Sequence, residues 1–143
     1  YVWPGGVDDA RIIFTSLAAT GIDYLDISAH LGVSPVFDCG RSLSALAREF
    51  SGLPVMANGK LHDLATAAGA LANGDGDFVS IAKAALADPA WPNKVRAGEP
   101  PVPFDPGMVT PLATLDCQEA FWAAHPDGRS DTAPRDVTEG GKG

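Results

Sequence analysis

Two rhythms of apolar positions alternate along this chain. Over 7–19, Ala10, Ile13, Phe14 and Leu17 recur at helical spacing behind Asp8 and Asp9, whose charge suits a helix N-terminus. Gly21 ends that pattern, and 24–28 (YLDIS) follows as a short strand rich in large apolar residues. The stretch 29–40 contains glycine and proline without a period, so it reads as a loop, long for a strand-to-helix connection. Ser42 then caps a second helix with Leu43, Leu46, Ala47 and Phe50 on one face. Gly52 and Pro54 punctuate before a strand over 55–57.

The next unit repeats this plan. Asn58-Gly59 makes a turn, Asp63 caps a helix carrying Leu64, Ala67, Ala68 and Leu71, and Asn73-Gly74 closes it. A third strand is expected over 77–81, then a short helix over 83–87 that Pro89 stops, and a further helical turn or two over 93–97. Beyond Gly98 the pattern collapses: 99–111 is proline-rich and extended, 118–124 could be one helix with Phe121 and Trp122, and 125–143 reads as disordered. Three regions are therefore expected, 1–98, 99–124 and 125–143.

Helix-then-strand repeats of this length build parallel sheets. The strands do not alternate cleanly between apolar and polar, which predicts burial on both faces. Three parallel strands alone would leave two long unpaired edges. The simplest architecture is the C-terminal part of an eight-stranded TIM (β/α)8 barrel, about strands six to eight, with an irregular tail. Loops after the last two strands of many such barrels hold a phosphate. In this chain those loops are the small-residue turns at Asn58-Gly59 and Ala82-Lys83.

Composition narrows the function classes. At 143 residues the chain is long enough to bury a core, and 45% hydrophobic with 20% charged residues is the balance of a globular protein. A formal charge of −8 argues against non-specific nucleic-acid binding, which rests on basic surface. No apolar run approaches the ~20 residues of a membrane span. Cys39 and Cys117 lack the spacing of a zinc site or a disulfide framework, so both read as reduced thiols in a cytoplasmic protein. The first residue is Tyr1, which suggests a processed chain or a piece of something longer.

Four stretches carry a family likeness: WPGGVDDARIIF at 3–14, GIDYLDIS at 21–28, LPVMANGK at 53–60 and GDFVSIAKAALADPAWPNKV at 76–95. Together with FDPGM at 104–108 they make the chain, over about 1–115, resemble the Old Yellow Enzyme family of FMN-dependent NAD(P)H:flavin oxidoreductases. The resemblance implies a barrel that takes hydride from NAD(P)H onto FMN and passes it to an activated alkene. It implies that Asn58 and Gly59 in the first loop, and Ala82 and Lys83 in the second, hold the FMN phosphate. Lys83 departs from the family's usual arginine, keeping the charge but losing the two-pronged fork.

The family's flavin-N1 partner, its His/Asn substrate pair and its proton-donating Tyr lie upstream of the matching part, so no catalytic residue is assigned on this chain. His30, His62 and His125 do not occupy matching positions. The missing strands are expected from a complementary N-terminal barrel chain or a second copy. The alternative is a non-catalytic phosphate- or nucleotide-binding half-barrel that oligomerises through its open sheet edges.

The individual residues also have plainer readings. Lys83 competes with a solvated charge at a helix start, and Gly59 with a turn glycine supplying positive φ. Lys60 and His30 read as surface residues, Asp23 and Asp26 as carboxylates held by backbone N–H groups near a strand. Trp91 and Trp122 read as packing anchors for the C-terminal segment.

Overall fold

Side-chain caps set three of the described α-helix starts, two of them in the first unit of the chain. In a computed structural model of the chain, which describes residues 3–126, Ser42 Oγ accepts the Ala45 N–H at 3.1 Å and opens α2 (Leu43–Ser51). Asp63 Oδ1 accepts the Thr66 N–H at 2.8 Å and opens α3 (Leu64–Ala72). The Asp63 carboxyl lies below its ordinary value of 3.8, because the Thr66 hydroxyl and then the Thr66 N–H both favour its charged form. Gly52, at φ 67°, supplies the left-handed residue that ends α2. The expected disorder of the tail lies, beyond residue 126, outside the described residues.

The described residues contain six α-helices and a three-stranded parallel sheet, a mixed α/β arrangement. They fall into two compact units that divide between Ile81 and Ala82, inside the stretch 1–98 that the sequence pattern treats as one region. No helix among them is long and apolar enough to cross a membrane.

The first unit holds α1 (Val7–Ala18), α2, α3 and the strands β1 (Leu25–Ser28), β4 (Val55–Asn58) and β5 (Phe78–Ser80), in the order β1-β4-β5. Between β1 and α2 lie two short antiparallel strands, β2 (Pro35–Val36) and β3 (Arg41–Ser42). The parallel register pairs Leu25 with Val55, and lines Ile27, Ala57 and Val79 into one row. One core cluster joins Leu25, Ile27 and Val55 to Ala10, Phe14, Leu43, Leu46 and Ala47. A second joins Ala57 to Leu61, Ala67 and Ala70, with Val79 beside it. All three helices therefore pack on the same face of the sheet.

Several expectations need correcting. Burial alternates along β1, with Leu25 and Ile27 buried and Asp26 and Ser28 exposed, so the sheet is not covered on both faces. The reason is the placement of the helices on one side. On α1, Ala10 and Phe14 are buried, whereas Ile13 and Leu17 stay more than a third exposed because α2 reaches only one flank of the stripe. On α3 the buried face is Ala67 and Ala70, while Leu64, Ala68 and Leu71 are exposed. Two alanines three residues apart let the helix lie close over Ala57, and the bulkier leucines flank that contact.

The supposed plain loop over 29–40 contains β2 and the turn that leads into β3. Its turn places Phe37 and Asp38 at φ 54° and 52°, with the Cys39 N–H donating to the Val36 carbonyl at 3.2 Å. Two successive left-handed residues make a type I′ turn, which ordinarily asks for Asn or Gly. Phe37 holds its place by stacking on Trp3, with ring centroids 5.5 Å apart.

Asp77 joins three elements of this unit. Its N–H donates to the Val55 carbonyl at 2.7 Å, and its carboxylate accepts the Val55 N–H at 2.9 Å and Arg48 Nε at 3.0 Å. Next to it, Ser42 Oγ donates to Asp75 Oδ1 at 2.5 Å. The start of β4 is thus tied to the start of β5 and to α2.

The second unit holds α4 (Lys83–Ala87), α5 (Trp91–Ala97), a 3-10 turn (Pro106–Val109) and α6 (Leu115–Ala124). Its organising group is Asp88, which is fully buried. Oδ1 accepts the Ala90 N–H at 3.1 Å, and Oδ2 accepts the Val102 N–H at 2.9 Å and Lys94 Nζ at 2.8 Å. Burial raises the Asp88 pKa, but the bond from Lys94, the Val102 N–H, the Lys94 charge and the Ala90 N–H together outweigh it. The carboxyl ends below its ordinary 3.8. Trp91 and Trp122 are half-buried, and the Phe121 ring lies over Gly107, where an added Cβ would come within 3.0 Å of it.

Two stability outcomes follow. Asp77→Ala leaves the buried start of β4 without an acceptor for its N–H, and should cost about 2 kcal/mol in denaturant unfolding. Asp88→Ala strands Lys94 and two N–H groups, and should cost about 3 kcal/mol at neutral pH. A carboxyl lowered by folding stabilises above its unfolded value and loses that contribution as pH falls through its folded value. The difference in Tm between wild type and Asp88→Ala should therefore be constant above about pH 5 and shrink below about pH 3. A constant difference across that range would mean that Asp88 is not ionised in the fold.

Candidate functional site

The strand register that turns Ile27, Ala57 and the half-buried Val79 toward the helices sends their neighbours to the opposite face. Ser28, Asn58 and Ser80 form one row there, at the C-terminal ends of β1, β4 and β5. The row before it is Asp26, Met56 and Phe78. Asn58 Nδ2 donates to Ser80 Oγ at 2.9 Å and to the Ser80 carbonyl at 3.3 Å, so the amide carbonyl of Asn58 is turned away from β5 as an acceptor. Amide and hydroxyl groups thus stand side by side along this row.

Gly59, directly after Asn58, has φ 132°. A Cβ at that position would lie 2.3 Å from the Ala29 carbonyl oxygen and 2.5 Å from the Gly32 nitrogen. The loop after β1 is laid against it, with the Ala29 N–H donating to the Asn58 carbonyl at 3.2 Å and the Gly32 N–H to the Gly59 carbonyl at 2.9 Å. The close approach that needs a glycine is therefore one between two stretches of this chain's own backbone. Lys60 follows at φ 56° and is exposed, as are His30, Asp23 and Asp26.

Ala82 and Lys83 belong to the second unit. Ala82 precedes α4, and its carbonyl accepts the Leu86 N–H at 3.0 Å. Lys83 is exposed and pairs with no carboxylate among the described residues; its Nζ lies 5.4 Å from the centroid of the Phe104 ring. The other described lysine of this unit, Lys94, is bound to Asp88.

Sequence reasoning missed Ser28 and Ser80. Each stands at a strand end, and only the pairing register reveals that they flank Asn58 in one row. It also missed an open cleft of about 770 Å³ in the first unit, lined by Arg41, Arg48, Pro54, Asn73, Asp77 and Phe78 among others. The cleft lies where β4 and β5 begin, at the opposite end of the strands from Asn58 and Ser80. Its arginines are engaged within the chain, Arg41 with Glu49 and Arg48 with Asp77. That pairing leaves it without a free charge to recognise a ligand, so the polar row is the better candidate.

No protein-family model and no curated protein matches this chain.

Gly59→Ala tests the backbone contact directly. A side chain there meets the Ala29 carbonyl and adopts a φ that only glycine tolerates, so the variant should lose at least about 2 kcal/mol of stability with no ligand present. A variant as stable as wild type would free Gly59 from this structural duty and return it to a purely ligand-facing one.

Proposed function

We propose that this chain is the C-terminal, FMN-phosphate-holding part of a TIM-barrel NAD(P)H:flavin oxidoreductase that reduces activated alkenes. The observation that carries this reading is the winding of the sheet. The three parallel strands follow one another in chain order, and every helix that crosses between them lies on one face. A doubly wound sheet would place helices on both faces. Strands advancing in one direction with helices on one side are the repeating unit of a barrel wall, whose open face is the interior. The polar row of Ser28, Asn58 and Ser80 then stands at the C-terminal rim, where barrels carry their ligand sites.

The residues fit a phosphate group through Lys83 above all. Its charge is exposed and unneutralised by any carboxylate among the described residues, and an ammonium is a point donor to phosphate oxygens. The family resemblance implies a phosphate-holding role for Asn58, Gly59 and Ala82 as well. Gly59 contributes backbone whose shape Ala29 and Gly32 already dictate. When bound, FMN would supply the ring that accepts and donates hydride. This chain's part is to fix the phosphate end and thereby orient the ring, since binding energy remote from the reacting atom sets its position. The reacting groups are expected on the strands that precede this part, as a complementary chain or the rest of a longer one.

The test is a fluorescence titration of the chain with FMN and, in parallel, with riboflavin, which lacks the phosphate. Lys83→Ala should weaken FMN binding about tenfold and leave riboflavin unchanged, and raised salt should weaken FMN binding to the wild type in the same selective way. Equal affinity of wild type and Lys83→Ala for FMN would remove Lys83 from the site. Native mass spectrometry that finds only copies of this chain without FMN would sink the oxidoreductase reading.

A further inference from the structure

We propose that Phe104 is a positioning residue for Lys83, holding its ammonium over an aromatic face so that a full positive charge is presented to a phosphomonoester. The inference rests on the phosphate reading of Lys83 and adds the residue that makes a lysine adequate there. A lysine stem has four rotatable carbons and loses much conformational freedom when it is fixed on a ligand. An exposed lysine at this position therefore needs something to confine it before the ligand arrives.

The geometry supplies that confinement. Lys83 Nζ stands 5.4 Å from the Phe104 ring centroid, inside the range of a cation–π contact. Phe104 is itself half-buried and sits between two fixed points of the backbone. On one side the Val102 N–H is bound to the fully buried Asp88, which directly follows α4 and also holds Lys94 of α5. On the other, Asp105 Oδ1 accepts the Gly107 N–H at 2.7 Å and starts the 3-10 turn that buries Met108. The backbone on either side of Phe104 is thus held, on the Val102 side by the residue that follows the helix carrying Lys83.

The choice of an aromatic partner matters chemically. A carboxylate would orient the ammonium but cancel its charge, as Asp88 does for Lys94. A ring attracts the cation through its quadrupole, covers one side of it, and leaves the net charge and the remaining N–H donors for phosphate oxygens. The two described lysines of this unit show the contrast: Lys94 is consumed in a buried structural pair, and Lys83 is steered without being neutralised.

Two measurements on the full chain decide the matter. In the first, Phe104→Leu, which keeps apolar bulk without the ring, is titrated with FMN and riboflavin beside wild type, Phe104→Tyr and Lys83→Ala. Phe104→Leu should weaken FMN binding about two- to fivefold, leave riboflavin unchanged, and be rescued by Phe104→Tyr. In the second, an amine-reactive ester with mass-spectrometric readout follows labelling at Lys83 without any ligand, and the rate should rise by a similar factor in Phe104→Leu. Phe104→Leu with wild-type FMN affinity, while Lys83→Ala binds weakly, would overturn the positioning and keep the phosphate reading. If Lys83→Ala also binds like wild type, the phosphate reading has failed and the positioning with it. If the wild-type chain takes up no FMN, the labelling arm rules, and equal rates at Lys83 overturn the contact itself. Should Phe104→Leu alter the circular dichroism of the chain, Phe104→Met replaces it under the same criteria.

Discussion

The carboxylate of Asp77 fixes what the rest of the first unit can be. It accepts from the Val55 N–H and from Arg48, while its own N–H reaches the Val55 carbonyl. These bonds set β5 against β4 at their first residues, and a parallel ladder then carries the register forward. A slip of one residue would turn Ser80 toward the helices and Val79 toward the open face. The polar row at the strand ends therefore depends on a contact at their beginnings. Ser42 joins the same arrangement by capping α2 and bonding to Asp75, so the helix between β1 and β4 is held in the same frame.

A division of labour runs along the strands. Their N-terminal ends are where charge is spent on structure, in the pairs Arg48–Asp77 and Arg41–Glu49. Their C-terminal ends carry the neutral polar groups of Ser28, Asn58 and Ser80. Structural ion pairs lower the free charge of the N-terminal end. That asymmetry matches the general placement of ligand sites beyond the carboxyl ends of parallel strands.

The elements with local chemistry were legible in the sequence. Ser42 and Asp63 announce their helices because a short oxygen-bearing side chain satisfies N–H groups that nothing else reaches. The helix Lys83–Ala87 and its end before Pro89 could be read from spacing and from proline's missing donor. What stayed hidden depends on partners distant in sequence. Whether Ile13 or Leu64 is covered is decided by which helix lies beside it, and Phe37 at positive φ is tolerable only because Trp3 stacks on it. Asn58 and Lys83 could be singled out from the chain alone. Ser80, Asp88 and Phe104 emerged only once register and burial were known, because a serine, an aspartate and a phenylalanine have no distinguishing local signature.

The meeting of Gly32 with Gly59 has a mechanical consequence. With no side chain at 59 to hold them apart, the loops after β1 and β4 touch backbone to backbone and exchange hydrogen bonds at Ala29, Gly32, Asn58 and Gly59. They behave as one welded lip rather than two independent flaps. Any displacement of 58–60 drags 29–32 with it, so a disturbance at one strand end is felt at the next without passing through the core. Substitution is constrained in the same coupled way: a bulkier residue at either position must be accommodated by both loops together.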